Sequence, residues 1–404
     1  MLMGGRSDSV LERVTEHSSA SAARRGARKV LRRARVVICL AVSGAALALF
    51  PSAVHAADCL EADPPPVTSP AQSLRFGITP QVAGHTGATQ GDAAPEDPVK
   101  TVSALHALEP DNRQLVLRLN RLFWSDGQKG INRLAEKVDA YAAEGFRSEV
   151  QVRYHPPEGQ EGDIAAWEEF VRAAVRKLAK RRSVVAMSIT NEANFPLSPN
   201  TSDGAYEGVT EALVRGTVVA RREADRLGRS DLELGFTVMW RWEPGSDERF
   251  WKELGKRATA EFRPALDYVG VQAYPGLVWP PAPLPGRTAG REVVEALTLV
   301  RDCHMPKARL GRDVDLWVSE NGYATNLGRS EQQQLEDLTS TVKDVHSWSG
   351  ALGVTDYRYF NLRDNRPNGT DLFDAVGLLR DDYTAKPAFS GYRSLVEQHG
   401  EDAP

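Results

Sequence analysis

The chain has 404 residues and a formal net charge of −4 at pH 7, and 26% of its residues are charged. Residues 1–56 hold nine basic and three acidic side chains, so the remainder of the chain has a net charge near −10. This negative charge argues against a polyanionic partner such as nucleic acid, and it fits a protein that acts on neutral ligands.

The N-terminal segment has the pattern of a secretory signal. A block of arginines and a lysine at 24–35 precedes an apolar run, Val36–Phe50, and small residues follow around Ala56. Basic, apolar and small is the order of a signal peptide, which predicts cleavage after residue 56 and a secreted protein with no stable membrane insertion. The apolar run has 15 residues, whereas a membrane span needs about 20. A membrane anchor that tethers the same protein is the alternative.

Residues 57–72 are rich in Pro, Ala, Asp and Ser and lack apolar periodicity, so they are predicted to form a flexible linker. Cys39 would leave with the signal, and Cys59 and Cys303 would remain. An even pair of cysteines in an exported chain predicts a disulfide between them. Two unpaired thiols are the alternative.

Residues 73–398 alternate short apolar runs with longer amphipathic stretches, which is typical of a parallel sheet covered by helices. Eight strand–helix alternations predict an α/β fold of one domain, a (β/α)8 TIM barrel, with 399–404 as a C-terminal tail. The alternative is an open doubly wound sheet, but Gly77–Pro80 lacks the glycine-rich phosphate loop of that fold. The predicted strands are Leu74–Thr79, Leu115–Leu119, Ser148–Tyr154, Val184–Thr190, Leu232–Trp240, Tyr268–Ala273, Leu316–Ser319 and Thr355–Phe360.

Helices are predicted where apolar residues recur every three or four positions. The second predicted strand is followed, for example, by Ile131, Leu134, Val138 and Tyr141. The predicted helices are Gly130–Glu144, Ile164–Lys180, Ala205–Leu227, Glu248–Ala258, Glu292–Cys303, Gln332–Ser347 and Phe389–Val396.

Two glutamates stand at the ends of predicted strands, where the active site of such a barrel lies. Glu192 follows the fourth apolar run and Glu320 follows the seventh. A carboxylate is costly to bury without partners or a purpose. Two carboxylates across one pocket are what glycoside hydrolysis needs, one as a protonated acid and one as an anion. A separation of about 5–5.5 Å permits a covalent intermediate and retention of configuration, whereas a wider gap admits water and gives inversion.

This pattern resembles glycoside hydrolase clan A, in which Asn-Glu ends strand four and Glu ends strand seven of a (β/α)8 barrel. The resemblance covers all eight predicted strands and is nearest to families 39 and 5. It implies a retaining β-glycosidase with a carbohydrate substrate, in which Glu192 is the acid/base and Glu320 the nucleophile. It further implies that Asn191 binds the sugar 2-hydroxyl and that the Tyr274 hydroxyl holds the nucleophile.

The eighth strand departs from the clan. Many clan members have a tryptophan there as a sugar platform, whereas this chain has Phe360, which is the candidate replacement. The departure leaves the sugar subsite undefined. It also leaves open a non-catalytic carbohydrate-binding barrel protein at the cell surface.

Further candidates for contact with the substrate lie at other strand ends. Arg118 could stabilise an anion or pair with a structural carboxylate, and His155 could bind sugar hydroxyls or be structural. Aromatic rings can stack on sugar rings or pack in the core. The aromatic candidates are Trp240, Trp242 and Trp279. No metal-ligand cluster is recognisable and the reaction needs only two carboxylates and water, so no cofactor and no metal are expected.

Overall fold

The computed structural model describes residues 62–80, 94–196, 198–240, 244–278, 280, 284–366 and 369–403. The strands are β1 (Arg75–Ile78), β2 (Val116–Phe123), β3 (Arg147–Arg153), β4 (Val184–Ile189), β5 (Glu233–Met239), β6 (Tyr268–Gln272), β7 (Asp315–Asn321) and β8 (Val354–Tyr359). The helices are α1 (Pro98–Leu108), α2 (Gly127–Ala143), α3 (Ile164–Leu178), α4 (Val209–Arg226), α5 (Pro244–Arg257), α6 (Ala289–Thr298), the single turn α7 (Met305–Lys307), α8 (Glu331–Leu352) and α9 (Pro387–His399).

The strands form a closed parallel barrel in chain order, β1 to β8. Closure is visible at Gly77, which pairs with Val116 of β2 on one side and with Arg358 of β8 on the other. An open sheet would leave β1 and β8 unpaired at an edge, so this register excludes the doubly wound alternative. The predicted (β/α)8 fold is therefore confirmed.

The two faces of each strand have different neighbours, because successive side chains of a strand alternate between faces. In β5, Leu234, Phe236 and Val238 are buried in the main apolar core together with Trp251 of α5. Thr237 of the same strand is fully buried and contacts other polar groups instead. The barrel thus has an apolar layer between strands and helices and a partly polar interior, and that interior leads to the site.

The structure corrects the element boundaries and adds two helices, α1 and the single turn α7. Helix α1 was not predicted, although Asp97 caps its first turn by accepting hydrogen bonds from Val99 N and Lys100 N and a proline begins it. Helix α8 extends beyond the predicted range because Ser330 forms a capping box and Gly353 ends the helix in the left-handed conformation. Strand β7 continues to Asn321, so Glu320 lies within the strand and not just after it.

Both ends of the described chain are hydrogen-bonded to the barrel. Within the predicted linker, the Pro65 carbonyl accepts a bond from Trp348 Nε1 at 2.9 Å. In the predicted tail, Glu401 N donates to Leu74 O at 3.0 Å. The domain boundaries at 56, 72 and 398 stay predictions.

The proposed signal segment 1–56 and Cys59 lie outside the described residues. Cys303 takes part in a disulfide, and its predicted pairing with Cys59 stays a prediction. Among the helices that the structure does describe, none is long and apolar enough to cross a membrane.

Candidate active site

Glu192 lies just beyond β4, where the backbone turns sharply. Both Thr190 and Glu192 have positive φ, 72° and 45°, a region that non-glycine residues seldom occupy. The turn is held because Glu192 N donates to Thr237 Oγ1 at 3.1 Å. The side chain of Glu192 lies in the barrel mouth and only 6% of the residue is exposed. Such backbone strain commonly marks a site where side-chain direction matters.

The environment of Glu192 favours the protonated acid. Burial and the nearby negative charge of Glu320 raise the pKa of Glu192 to about 8. A hydrogen bond from Ser202 and the charge of Arg153 act in the opposite direction and are outweighed. At neutral pH the carboxyl group can therefore hold the proton that a general acid must donate.

Glu320, unlike Glu192, lies next to a cation and a tyrosine hydroxyl. Tyr274 donates its hydroxyl to Glu320 Oε2 at 2.7 Å, and Arg118 Nη2 lies 3.1 Å from Glu320 Oε1. Burial, as the larger cause, and the charge of Glu320 raise the pKa of Tyr274 well above its usual range. The phenol therefore keeps its proton and remains a donor. One neutral donor and one cation thus stabilise the carboxylate form of Glu320.

A network of amides and hydroxyls surrounds Asn191. Its Oδ1 accepts hydrogen bonds from Gln151 Nε2 at 3.0 Å, Thr237 Oγ1 at 3.1 Å and Gln272 Nε2 at 2.7 Å. Its Nδ2 donates to Thr201 O at 2.8 Å. One N–H of the side chain is left over for a ligand, so the predicted contact with a sugar hydroxyl stays a prediction with a single available donor.

The charges inside the barrel form a chain of alternating sign, which we call the ion-pair column. Its consecutive distances are 2.5, 2.7, 2.6, 3.0, 3.5 and 3.1 Å. Since each guanidinium lies between two carboxylates, no carboxylate of the column is left without a cation. From the amino end of the strands toward the carboxyl end, its members are Glu233, Arg75, Asp356, Arg358, Glu149, Arg118 and Glu320.

The remaining predicted residues lie around this centre in different settings. His155 is half-buried, its Nδ1 is 2.9 Å from Ser125 Oγ, and its ring packs edge-on against Phe123 and Tyr206. Trp240 is 8% exposed and belongs to the main apolar core, a placement that fits the packing alternative.

Phe360 packs edge-on against Tyr274 with ring centroids 6.3 Å apart, and 7% of it is exposed. It therefore lies beside the tyrosine that holds Glu320. Trp242 and Trp279 lie outside the described residues.

Several residues that complete the site were not predicted from the sequence. Glu149 and Gln151 of β3 point into the barrel, and a signal existed because they alternate with Val150 and Val152 along the strand. Ser202 comes from a loop with no periodicity, and no pattern in the sequence indicates it. Within the residues the structure describes, no cluster of three or more His, Cys, Asp or Glu side chains could hold a metal ion.

Solved structures with this fold were found by comparison. GH5_18 from Streptomyces cattleya in complex with GlcNAc is 17% identical, with a TM-score of 0.55, over 83% of this chain and 82% of that chain. A family 1 β-glucosidase from Thermotoga maritima is 14% identical, with a TM-score of 0.58, over 81% and 98% respectively. A β-glycosidase, BGL167, is 15% identical, with a TM-score of 0.55, over 82% and 98%.

No protein-family model and no curated protein matches the sequence. At these identities the likeness shows the fold, and at that level it confirms the predicted resemblance to the (β/α)8 barrels of glycosidases.

Proposed function

We propose that this protein is a secreted retaining β-glycosidase of clan A that cleaves an oligosaccharide or polysaccharide. The observation that carries the proposal is the contrast between two buried glutamates. Burial and the charge of Glu320 favour the protonated form of Glu192, and Arg118 with Tyr274 favours the ionised form of Glu320. These are the two protonation states that a double displacement needs at its start.

In the first step Glu192 gives its proton to the glycosidic oxygen as the bond from that oxygen to the anomeric carbon breaks. A carboxylate oxygen of Glu320 attacks the same carbon and forms a glycosyl ester. The negative charge of Glu320 then disappears, so the second-largest cause of the raised pKa of Glu192 is removed. Glu192 can now accept a proton from water, which attacks the ester and restores both residues.

The substrate is proposed to be a neutral glycan. GH5_18 was solved with GlcNAc, and a variant of the same enzyme with Manb1-4GlcNAc, so β-linked mannose and N-acetylglucosamine compounds belong in the first screen. Secretion rests on the basic, apolar and small order of residues 1–56. N-terminal sequencing of protein recovered from culture medium tests it, since a retained Val36–Phe50 would favour the membrane-tethered form.

A panel of aryl β-glycosides tests the activity. Wild type should release phenol from at least one sugar, and Glu320→Ala should lose at least about 10⁴-fold in kcat because the nucleophile is gone. Azide should partly rescue Glu320→Ala and convert a β-glycoside into the α-configured glycosyl azide. Sugar binding without turnover in the wild type would instead support the non-catalytic barrel.

A further inference from the structure

Ser202 is the side chain that meets the acid/base carboxyl directly. It lies in the loop between β4 and α4, is fully buried, and donates from Oγ to Glu192 Oε2 at 2.5 Å. No other described side chain is hydrogen-bonded to that carboxyl group. The hydroxyl of Thr201 is 3.2 Å from Ser202 Oγ and donates to Ser198 O at 3.4 Å.

The loop that holds Ser202 is fixed to the exit of β4. Asp203 N donates to Asn191 O at 2.9 Å and Gly204 N to Glu192 O at 3.3 Å. In return, Asp203 Oδ2 accepts from Asn191 N at 2.8 Å. A Cβ at Gly204 would lie 2.6 Å from Phe195 N, so the approach of the two segments requires glycine. Ser202 is therefore positioned relative to the backbone of Glu192 before any ligand binds.

The consequence for Glu192 is that its two carboxyl oxygens are not equivalent. Oε2 accepts the hydrogen bond from Ser202, which leaves the proton of the acid form on Oε1. We propose that Ser202 is a positioning residue that holds Oε2 and thereby presents the Oε1 proton of Glu192 to the glycosidic oxygen. This inference rests on the proposed function.

The same contact assists the transfer itself. When the proton leaves Oε1 and the leaving-group oxygen takes the bonding electron pair, Glu192 becomes a carboxylate. The hydrogen bond from Ser202 then has an ionised acceptor and becomes stronger. A structural hydroxyl with no such role would affect all substrates equally, which gives the inference a kinetic signature.

The test compares Ser202→Ala with Ser148→Ala across aryl glycosides of the sugar that the wild type hydrolyses best. Ser148 is an equally buried serine at the start of β3, away from the candidate catalytic residues, and serves as the matched control. With poor leaving groups, which need protonation, kcat/KM of Ser202→Ala should fall roughly tenfold or more. With 2,4-dinitrophenyl glycosides it should change less than about twofold, because that leaving group departs without an acid. Ser148→Ala should follow the wild type throughout.

The two results that overturn the inference are an equal loss for every leaving group and no loss at all. A second readout does not need activity. Because the hydrogen bond from Ser202 lowers the pKa of Glu192, its removal should move the carboxyl titration to higher pH. Isotope-edited infrared titration, with Glu192→Gln as the reference, measures this shift.

If the wild type hydrolyses no glycoside, the proposed function fails on its own. The infrared titration then still decides whether Ser202 controls the Glu192 carboxyl. An unchanged midpoint in Ser202→Ala would refute that contact.

Discussion

The barrel buries charge in two regions that obey different rules. In the ion-pair column each carboxylate lies against at least one guanidinium. Arg358, for example, contacts both Glu149 and Asp356. At the barrel mouth, Glu192 is equally buried but accepts its hydrogen bond from a neutral serine. Buried charge is tolerated when it is paired, whereas an unpaired carboxyl group takes up a proton instead. The difference teaches that the column balances its own charges, whereas Glu192 lies outside it, as the proposed role of a proton donor requires.

Glu320 belongs to both regions. It is the last member of the column through Arg118 and it also influences the protonation of Glu192. The column therefore ends at the proposed nucleophile and places the guanidinium of Arg118 3.1 Å from one of its carboxylate oxygens. Substitutions at the barrel mouth should therefore lower the activity, whereas substitutions in the ion-pair column should lower the free energy of unfolding.

The largest effect is expected at the mouth. Glu192→Gln keeps the shape of the side chain but cannot donate a carboxyl proton, so kcat/KM on poor leaving groups should fall about 10²- to 10⁴-fold. Activity on dinitrophenyl glycosides should fall less in the first step. Steady-state and pre-steady-state rates on both substrate types measure this. Equal activity of wild type and Glu192→Gln on a poor leaving group would contradict the assignment.

The next effect is expected in the column. Arg358→Met leaves Glu149 and Asp356 buried without one of their cations, which should cost about 3–5 kcal/mol of unfolding free energy. Denaturant titration measures the loss. Arg222→Met is the matched control, because the Arg222–Glu261 pair is on the surface with both side chains more than half exposed, and its midpoint should stay near the wild type.

A smaller effect concerns the free energy of unfolding, which the raised pKa of Glu192 lowers at high pH. Its folded pKa is about 8, above the ordinary value of 4.5, so the folded state loses stability as the pH rises from about 4.5 through 8. Glu192→Gln removes this penalty. The variant should be more stable than wild type at pH 8 and above, by on the order of a few kcal/mol, and nearly equal to it at pH 4. Thermal unfolding at both pH values checks the sign, and a gain that is the same at both would count against it.

The smallest effect is expected from the donor to Glu320. Tyr274→Phe removes one hydrogen bond to the carboxylate and should lower kcat/KM roughly tenfold. Tyr392→Phe is the control, since its hydroxyl is also buried but donates to the Gly77 carbonyl, behind the barrel wall. If both variants lose the same activity, the contact between Tyr274 and Glu320 has no special role.

The sequence was sufficient for the fold because strand and helix periodicities differ and all eight apolar runs lie in regular succession. It also indicated Glu192 and Glu320, since a glutamate directly at a strand end has few structural reasons to be there. Helix α1 was missed although its Asp97-Pro98 start was visible, because its apolar face is short.

The partners of the two glutamates were harder to predict. Tyr274 and Arg118 were predictable as candidates from their positions at strand ends, and the structure brings both to Glu320. Ser202 was not, because a loop has no period and its contact with Glu192 depends on how the chain folds back. The column was invisible for a similar reason, since it joins strands that are far apart in sequence and its pairing follows only from barrel closure.

The covalent intermediate tests the central claim most directly. The reagent is a 2,4-dinitrophenyl 2-deoxy-2-fluoro glycoside of the sugar that the wild type hydrolyses. The wild-type protein is incubated with this reagent, digested with a protease and analysed by mass spectrometry. The account predicts one glycosyl group per chain, esterified to Glu320, and slow reactivation as the ester hydrolyses. A label on another residue would contradict it. So would an NMR spectrum in which the sugar released by hydrolysis first appears with the inverted anomeric configuration.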